Sequence, residues 1–191
     1  YKRQVYNNLN FEGAPAYTGI DSSVWFPFNS QTVGIHGSNL DYFTVRWTGY
    51  VSSPETGIHT FYTRSDDGVR LQIGGMSVID EWGVWPVREY AGSVYMEANR
   101  QYPIRLDYFE NWGHVYVTLE WRKPSGQREA LGCGNLLPST TENGTADSAY
   151  VEASYRVISD VSGAFPNPIF WGKSDRAAAY ASRDIQVTHV M

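Results

Sequence analysis

The stretch "TRSDDGVRLQIGG" places Asp66 and Asp67 side by side between two segments of strand-like sequence. Two carboxylates held together repel when both are ionised. In a solvated turn water screens that repulsion, and Asp-Asp-Gly is ordinary turn sequence. The other reading is a cation site. Calcium takes about six to eight oxygens, drawn from carboxylates, amide oxygens, backbone carbonyls and water. Neighbouring side chains diverge in extended chain, so one shared ion requires an unusual backbone between the two aspartates. A cis peptide bond would supply it. Gly68 then relieves crowding as the chain enters the next strand.

Further oxygens have to come from elsewhere, and "FENWGHV" offers them. Asn111 carries an amide oxygen, and the carbonyls of Trp112, Gly113 and His114 can turn inward. Taken alone, "ENWG" reads equally as a hairpin loop. Around the ion, "DEWGVWPVREY" supplies aromatic and cationic groups. Trp85 and Tyr90 offer aromatic faces, and Arg88 offers a cationic donor. Trp112 is a second lining residue. Trp82 reads better as a packing residue.

No nucleophile and base converge in the sequence. His36, His59, His114 and His189 are scattered, and Cys133 in "LGCGN" lacks a local catalytic signature and reads as a small thiol near a turn. A glycosidase needs two carboxylates flanking its sugar. Asp66 and Asp67 are adjacent, which suits chelation better than attack from opposite faces. Asp107 and Glu110 are further candidates, with Asp107 read as solvated because it lies opposite the apolar face of its strand. The expectation is a binding module, not an enzyme.

The elements that must position these residues have period two. Phe43, Val45, Trp47 and Val51 share a face, as do Val69, Leu71 and Ile73. Tyr102, Ile104, Leu106 and Tyr108 form another such set, and Val115, Val117, Leu119 and Trp121 a fourth. Ile58, Thr60 and Tyr62 alternate with His59 and Phe61, and Gly74-Gly75 offers a tight hairpin turn. Short strands separated by turn signals predict an all-β antiparallel sandwich. One short helix is expected near the C-terminus in "SDRAAAYASRDI", capped by Ser174. The polar run "TTENGTADSA" marks a boundary or a long surface loop, and "NGT" at Asn143 fits a glycosylation acceptor.

Composition narrows the partners. Of 191 residues, 42% are hydrophobic and 15% aromatic, which is ample for a core. The net charge of −5 is spread along the chain, so no basic stripe is present to neutralise nucleic-acid phosphates. No apolar run is long enough for a membrane-spanning helix, so membrane insertion is not expected. A single cysteine allows no internal disulfide. The start at Tyr1 suggests a mature product or a segment of a longer protein.

The blocks "YFTVRWTGYV", "PETGIHTFYTRSDDGVRLQIGG", "VIDEW", "YPIRLDYFEN" and "VTLEW" occur in an order that resembles the protective-antigen module, named after the anthrax toxin component and shared with yeast flocculins and bacterial adhesins. The likeness runs from about Tyr1 to Pro138, with "YNNLNFEG" resembling the family's opening strand. The resemblance implies a carbohydrate-binding sandwich over 1–138. Residues 139–191 are then an extension packed on that domain or leading to a linker. In the family's lectin members two consecutive aspartates joined by a cis peptide hold Ca²⁺, which binds vicinal sugar hydroxyls. The resemblance thus implies a calcium site of Asp66, Asp67 and Asn111 with carbonyls of Trp112, Gly113 and His114. It also implies a sugar site of Asp66, Asp67, Trp85, Arg88 and Trp112. The flocculin-type disulfides are missing, which favours a bacterial adhesin. The expected protein is a calcium-dependent lectin module at the cell surface or outside the cell, a monomeric part of a larger protein. Its expected partner is a mono- or oligosaccharide or a cell-surface glycan. The alternatives are a non-lectin structural or protein-interaction module of a toxin or adhesin, and an accessory module of a glycosidase.

Overall fold

The computed structural model describes residues 1–27, 34–132 and 134–137. The strands run β1 (Lys2–Tyr6), β2 (Tyr17–Ile20), β3 (Trp25–Phe26), β4 (Phe43–Val51), β5 (Gly57–Asp66) and β6 (Val69–Ile73). They continue with β7 (Met76–Glu81), β8 (Arg88–Met96), β9 (Tyr102–Glu110), β10 (Tyr116–Arg122), β11 (Arg128–Ala130) and β12 (Leu136–Leu137). No helix occurs among the described residues. The C-terminal helix, the "TTENGTADSA" boundary, Asn143 and Cys133 all lie outside them.

Two antiparallel sheets face each other. One has the order β2-β1-β4-β9-β6-β7, with β12 also pairing β4. The other runs β11-β10-β5-β8, with β3 also pairing β10. Hydrophobic alternation explains how they close. Phe43, Val45, Trp47 and Val51 of β4 are wholly buried, as are Val69, Leu71 and Ile73 of β6. Leu106 and Tyr108 of β9 meet Phe61 of β5 and Val117, Leu119 and Trp121 of β10 across the core. Burying large aromatic side chains such as Trp47 and Trp121 provides much of the stabilisation, each worth about 1.5–3 kcal/mol or more relative to exposure. The β6–β7 hairpin turns at Gly74 and Gly75, whose φ values are 59° and 81°. Both angles lie in the left-handed region that a type I′ turn requires.

The topology has one consequence for function. The connections β5–β6, β7–β8 and β9–β10 each pass from one sheet to the other. The register brings them to the same end of the sandwich. Asp66 lies opposite Tyr116 and Ser65 opposite Arg88, while Val69 lies opposite both Tyr108 and Glu81. Three loops distant in sequence therefore meet around the Asp66–Asp67 pair.

The outer face of the larger sheet corrects one reading. Asp107 is 4% exposed, not solvated. Strand pairing places it opposite Arg46, whose Nε and a terminal amine donate to its two oxygens at 2.8 and 3.0 Å. Arg105 adds a bond of 2.6 Å. Burial alone would push the Asp107 carboxyl up, but the two guanidinium groups outweigh it and hold it below the usual carboxylate range.

Candidate cation and ligand site

The β5–β6 connection contains only Asp67 and Gly68 between its strands. The Asp66–Asp67 peptide bond is cis, as the sequence reading expected. Gly68 is required for a reason the sequence did not reveal. A Cβ there would lie 2.2 Å from the ring of Phe109 and 3.0 Å from the backbone nitrogen of Gly83. The loop thus presses against β9 and the β7–β8 connection, and the Phe109 amide donates to the Gly68 carbonyl at 3.0 Å.

Asp67 is almost fully buried and is held by backbone amides. Trp85 N–H donates to its Oδ1 at 3.0 Å, and Asn111 N–H donates to its Oδ2 at 2.8 Å. A further amide bond comes from Trp112. Burial pushes the Asp67 carboxyl up, and these amides offset part of the shift. Asp66 is also raised, first by burial and then by the charge of Asp67. Each loop around the pair therefore contributes donors, and none of these contacts supplies a compensating side-chain cation.

Glu110, at the end of β9, completes the acidic group. Ligand oxygens of Asp66, Asp67 and Glu110 lie within 4.8 Å of one another. Calcium–oxygen distances of about 2.3–2.6 Å allow one ion to touch oxygens at such separations. Burial, followed by the charges of Asp67, Asp66 and Asp41, pushes the Glu110 carboxyl up to about 8. Tyr108 Oη lies 2.5 Å from the Asp66 carbonyl and 2.6 Å from Glu110 Oε2. The hydroxyl has one proton, so it donates to one of these two oxygens at a time. The donor set is all oxygen, which suits a hard cation and not zinc or copper.

Above the acidic pair is a cleft of about 330 Å³. It is lined by Asp66 and Asp67, by Val84, Trp85 and Pro86 of the β7–β8 connection, and by Trp112, Gly113 and His114 of the β9–β10 connection. Trp112 is 62% and Trp85 42% exposed, so both present ring surface to solvent at the rim. The guanidinium of Arg88 lies 4.8 Å over the Trp85 ring, and Arg88 itself does not line the cleft. Asn111 reaches the site through its backbone N–H, and not through the side-chain oxygen that the sequence offered. Its carbonyl accepts from Tyr42 N–H at 3.0 Å, and Gly113 N–H is bound to Asp41 at 3.1 Å. Trp82 packs at 4.7 Å from Phe109 and under Arg70, in keeping with a packing role.

Sequence reasoning missed Glu110 and Tyr108 as parts of this site, and Val84 and Pro86 as its wall. The signal for Glu110 was present: it continues the inward phase of Ile104, Leu106 and Tyr108, where a carboxylate is out of place without a partner.

Comparison with known proteins places the chain in a family. The chain is 32% identical over 136 residues to the anti-sigma-I factor RsgI3 of Acetivibrio thermocellus, covering 71% of this chain and 21% of that protein. A solved anti-sigma factor domain-containing protein aligns with a TM-score of 0.69 at 31% identity, covering 73% of this chain and 48% of the other. The chain thus spans less than half the length of these relatives. The PA14 sugar-binding domain from an RTX adhesin has the same fold, with a TM-score of 0.61 at 16% identity over 72% of this chain and 97% of that one. The sequence model of the PA14 domain matches residues 1–135, which is most of the described sandwich, and the chain belongs to the PA14 domain family.

Proposed function

We propose that this chain is a calcium-dependent carbohydrate-binding module that binds and does not transform its ligand. The observation that carries this reading is the oxygen-only acidic group of Asp66, Asp67 and Glu110 beneath an open cleft with two exposed tryptophans. Asp66 and Asp67 would hold the ion, with Asn111 and the carbonyls of Trp112, Gly113 and His114 as the second-loop contribution. Bound calcium supplies open positions for two adjacent hydroxyls of a sugar. The protein's own share is orientation and selection. Trp85 and Trp112 offer ring faces to the apolar side of a pyranose, and Arg88, stacked on Trp85, fixes that ring. The cleft volume is at the low end for small-molecule sites, which suits one sugar residue at a time. We place the module outside the cell or at its surface.

The host protein is a second question. The relatives above 30% identity are anti-sigma factors, whereas the adhesin domain is 16% identical. That difference favours a carbohydrate-recognising part of an anti-sigma-factor-like protein over the adhesin expected from the sequence.

Calorimetric titration of a panel of mono- and oligosaccharides, with calcium and with a chelator, tests the proposal. Binding should require calcium and disappear in Asp67→Ala. Sugar binding that survives both treatments would overturn it.

A further inference from the structure

We propose that Glu110 is a direct ligand of the same ion, through Oε1, giving the site a third carboxylate on its closed side. This rests on the cation-site reading above and extends it to a residue that neither the Asp-Asp pair nor the second loop predicts. Glu110 is 0% exposed. Its Oε2 is engaged with Tyr108, but its Oε1 has no hydrogen-bond partner. A buried carboxylate oxygen without a partner is costly and rare in folded proteins.

The surroundings say what fits against that oxygen. The charges that bear most on Glu110 are those of Asp67, Asp66 and Asp41, all acidic. The guanidinium of Arg46, from the neighbouring strand, is committed to Asp107 on the opposite face of the sheet. A cation among three carboxylates answers the unpaired oxygen and the mutual repulsion at once. Its position follows from burial. Glu110 is enclosed and does not line the cleft, whereas Asp66 and His114 do. Glu110 therefore approaches from below and leaves the cleft side to the ligand. A third charged ligand raises affinity for the ion, since charge count tunes calcium sites over orders of magnitude.

The test titrates calcium alone into the full chain and three variants by calorimetry at neutral pH, and records melting with and without the metal. Glu110→Gln keeps the side-chain shape and removes the charge. Asp107→Asn makes the same charge change on the outer face. Glu110→Asp keeps the charge but draws it back by one methylene. We expect Glu110→Gln to weaken calcium at least about tenfold and to lose most of the calcium-induced rise in Tm, while Asp107→Asn stays within about threefold of wild type. If the glutamine variant does not fold, Glu110→Asp carries the test, with an expected loss of about fivefold or more. Wild-type affinity in a folded Glu110 variant would overturn the proposal and leave the Asp66–Asp67 site standing. An absence of calcium binding in the wild-type chain would overturn both.

Discussion

Gly68 shows how little freedom a single position of the site has. The nearest neighbour of a Cβ there would be the ring of Phe109, which is itself wedged against Trp82 and cannot withdraw without repacking. Gly68→Ala should therefore destabilise the domain by about 1–3 kcal/mol, as overpacking does elsewhere. A urea unfolding midpoint equal to wild type would contradict this. Trp112 is the opposite case. Most of its ring faces solvent, so Trp112→Ala should leave the unfolding free energy within about 0.5 kcal/mol of wild type. If the ring is a stacking platform, the same variant should weaken sugar binding roughly tenfold, the equivalent of about 1.4 kcal/mol. Loss of fold together with loss of binding would assign Trp112 a structural role instead.

At the scale of the element, β9 carries two kinds of carboxylate on its two faces. Tyr108 and Glu110 point inward to the site, while Asp107 points outward between Arg46 and Arg105. The folded carboxyl of Asp107 lies below its ordinary value. Its contribution is therefore present above the unfolded pKa of about 4 and is lost as pH falls through the folded value. Asp107→Asn should cost about 1–3 kcal/mol at neutral pH, and the difference from wild type should shrink below about pH 4. Unfolding curves across that range check the prediction, and a pH-independent difference would refute it. Reading Asp107 as solvated failed for a definite reason. Alternation tells which face a residue takes, but the Arg46 opposite it is set by the register of β4 against β9, 61 residues apart in sequence.

For the whole molecule, the ion would act as a clamp on three inter-sheet connections. Anything that binds the native state alone stabilises it, by about 2.7 kcal/mol at a hundredfold excess over Kd. Adding a chelator to calcium-loaded protein should accordingly lower Tm by several degrees, and scanning calorimetry would register it. An unchanged Tm would argue that no ion ties the loops together. Asp67→Ala should melt the same with and without calcium, because it removes a central ligand.

Much was decided by sequence alone because its causes are local. Period-two hydrophobicity marked the inward faces of β4, β6, β9 and β10, since a strand's side chains alternate whatever the strand pairs with. Gly74-Gly75 named its turn because few residues tolerate left-handed φ, and Asp66-Asp67 was legible as a pair because the two residues are neighbours in the chain. The tertiary structure decided everything that depends on non-local pairing. It brought the β7–β8 and β9–β10 connections onto the pair, turned the amides of Trp85 and Asn111 toward Asp67, and set Glu110 beneath them. No local pattern encodes which strands exchange sheets at the same end of a sandwich, because that follows from how the two sheets bury one core together.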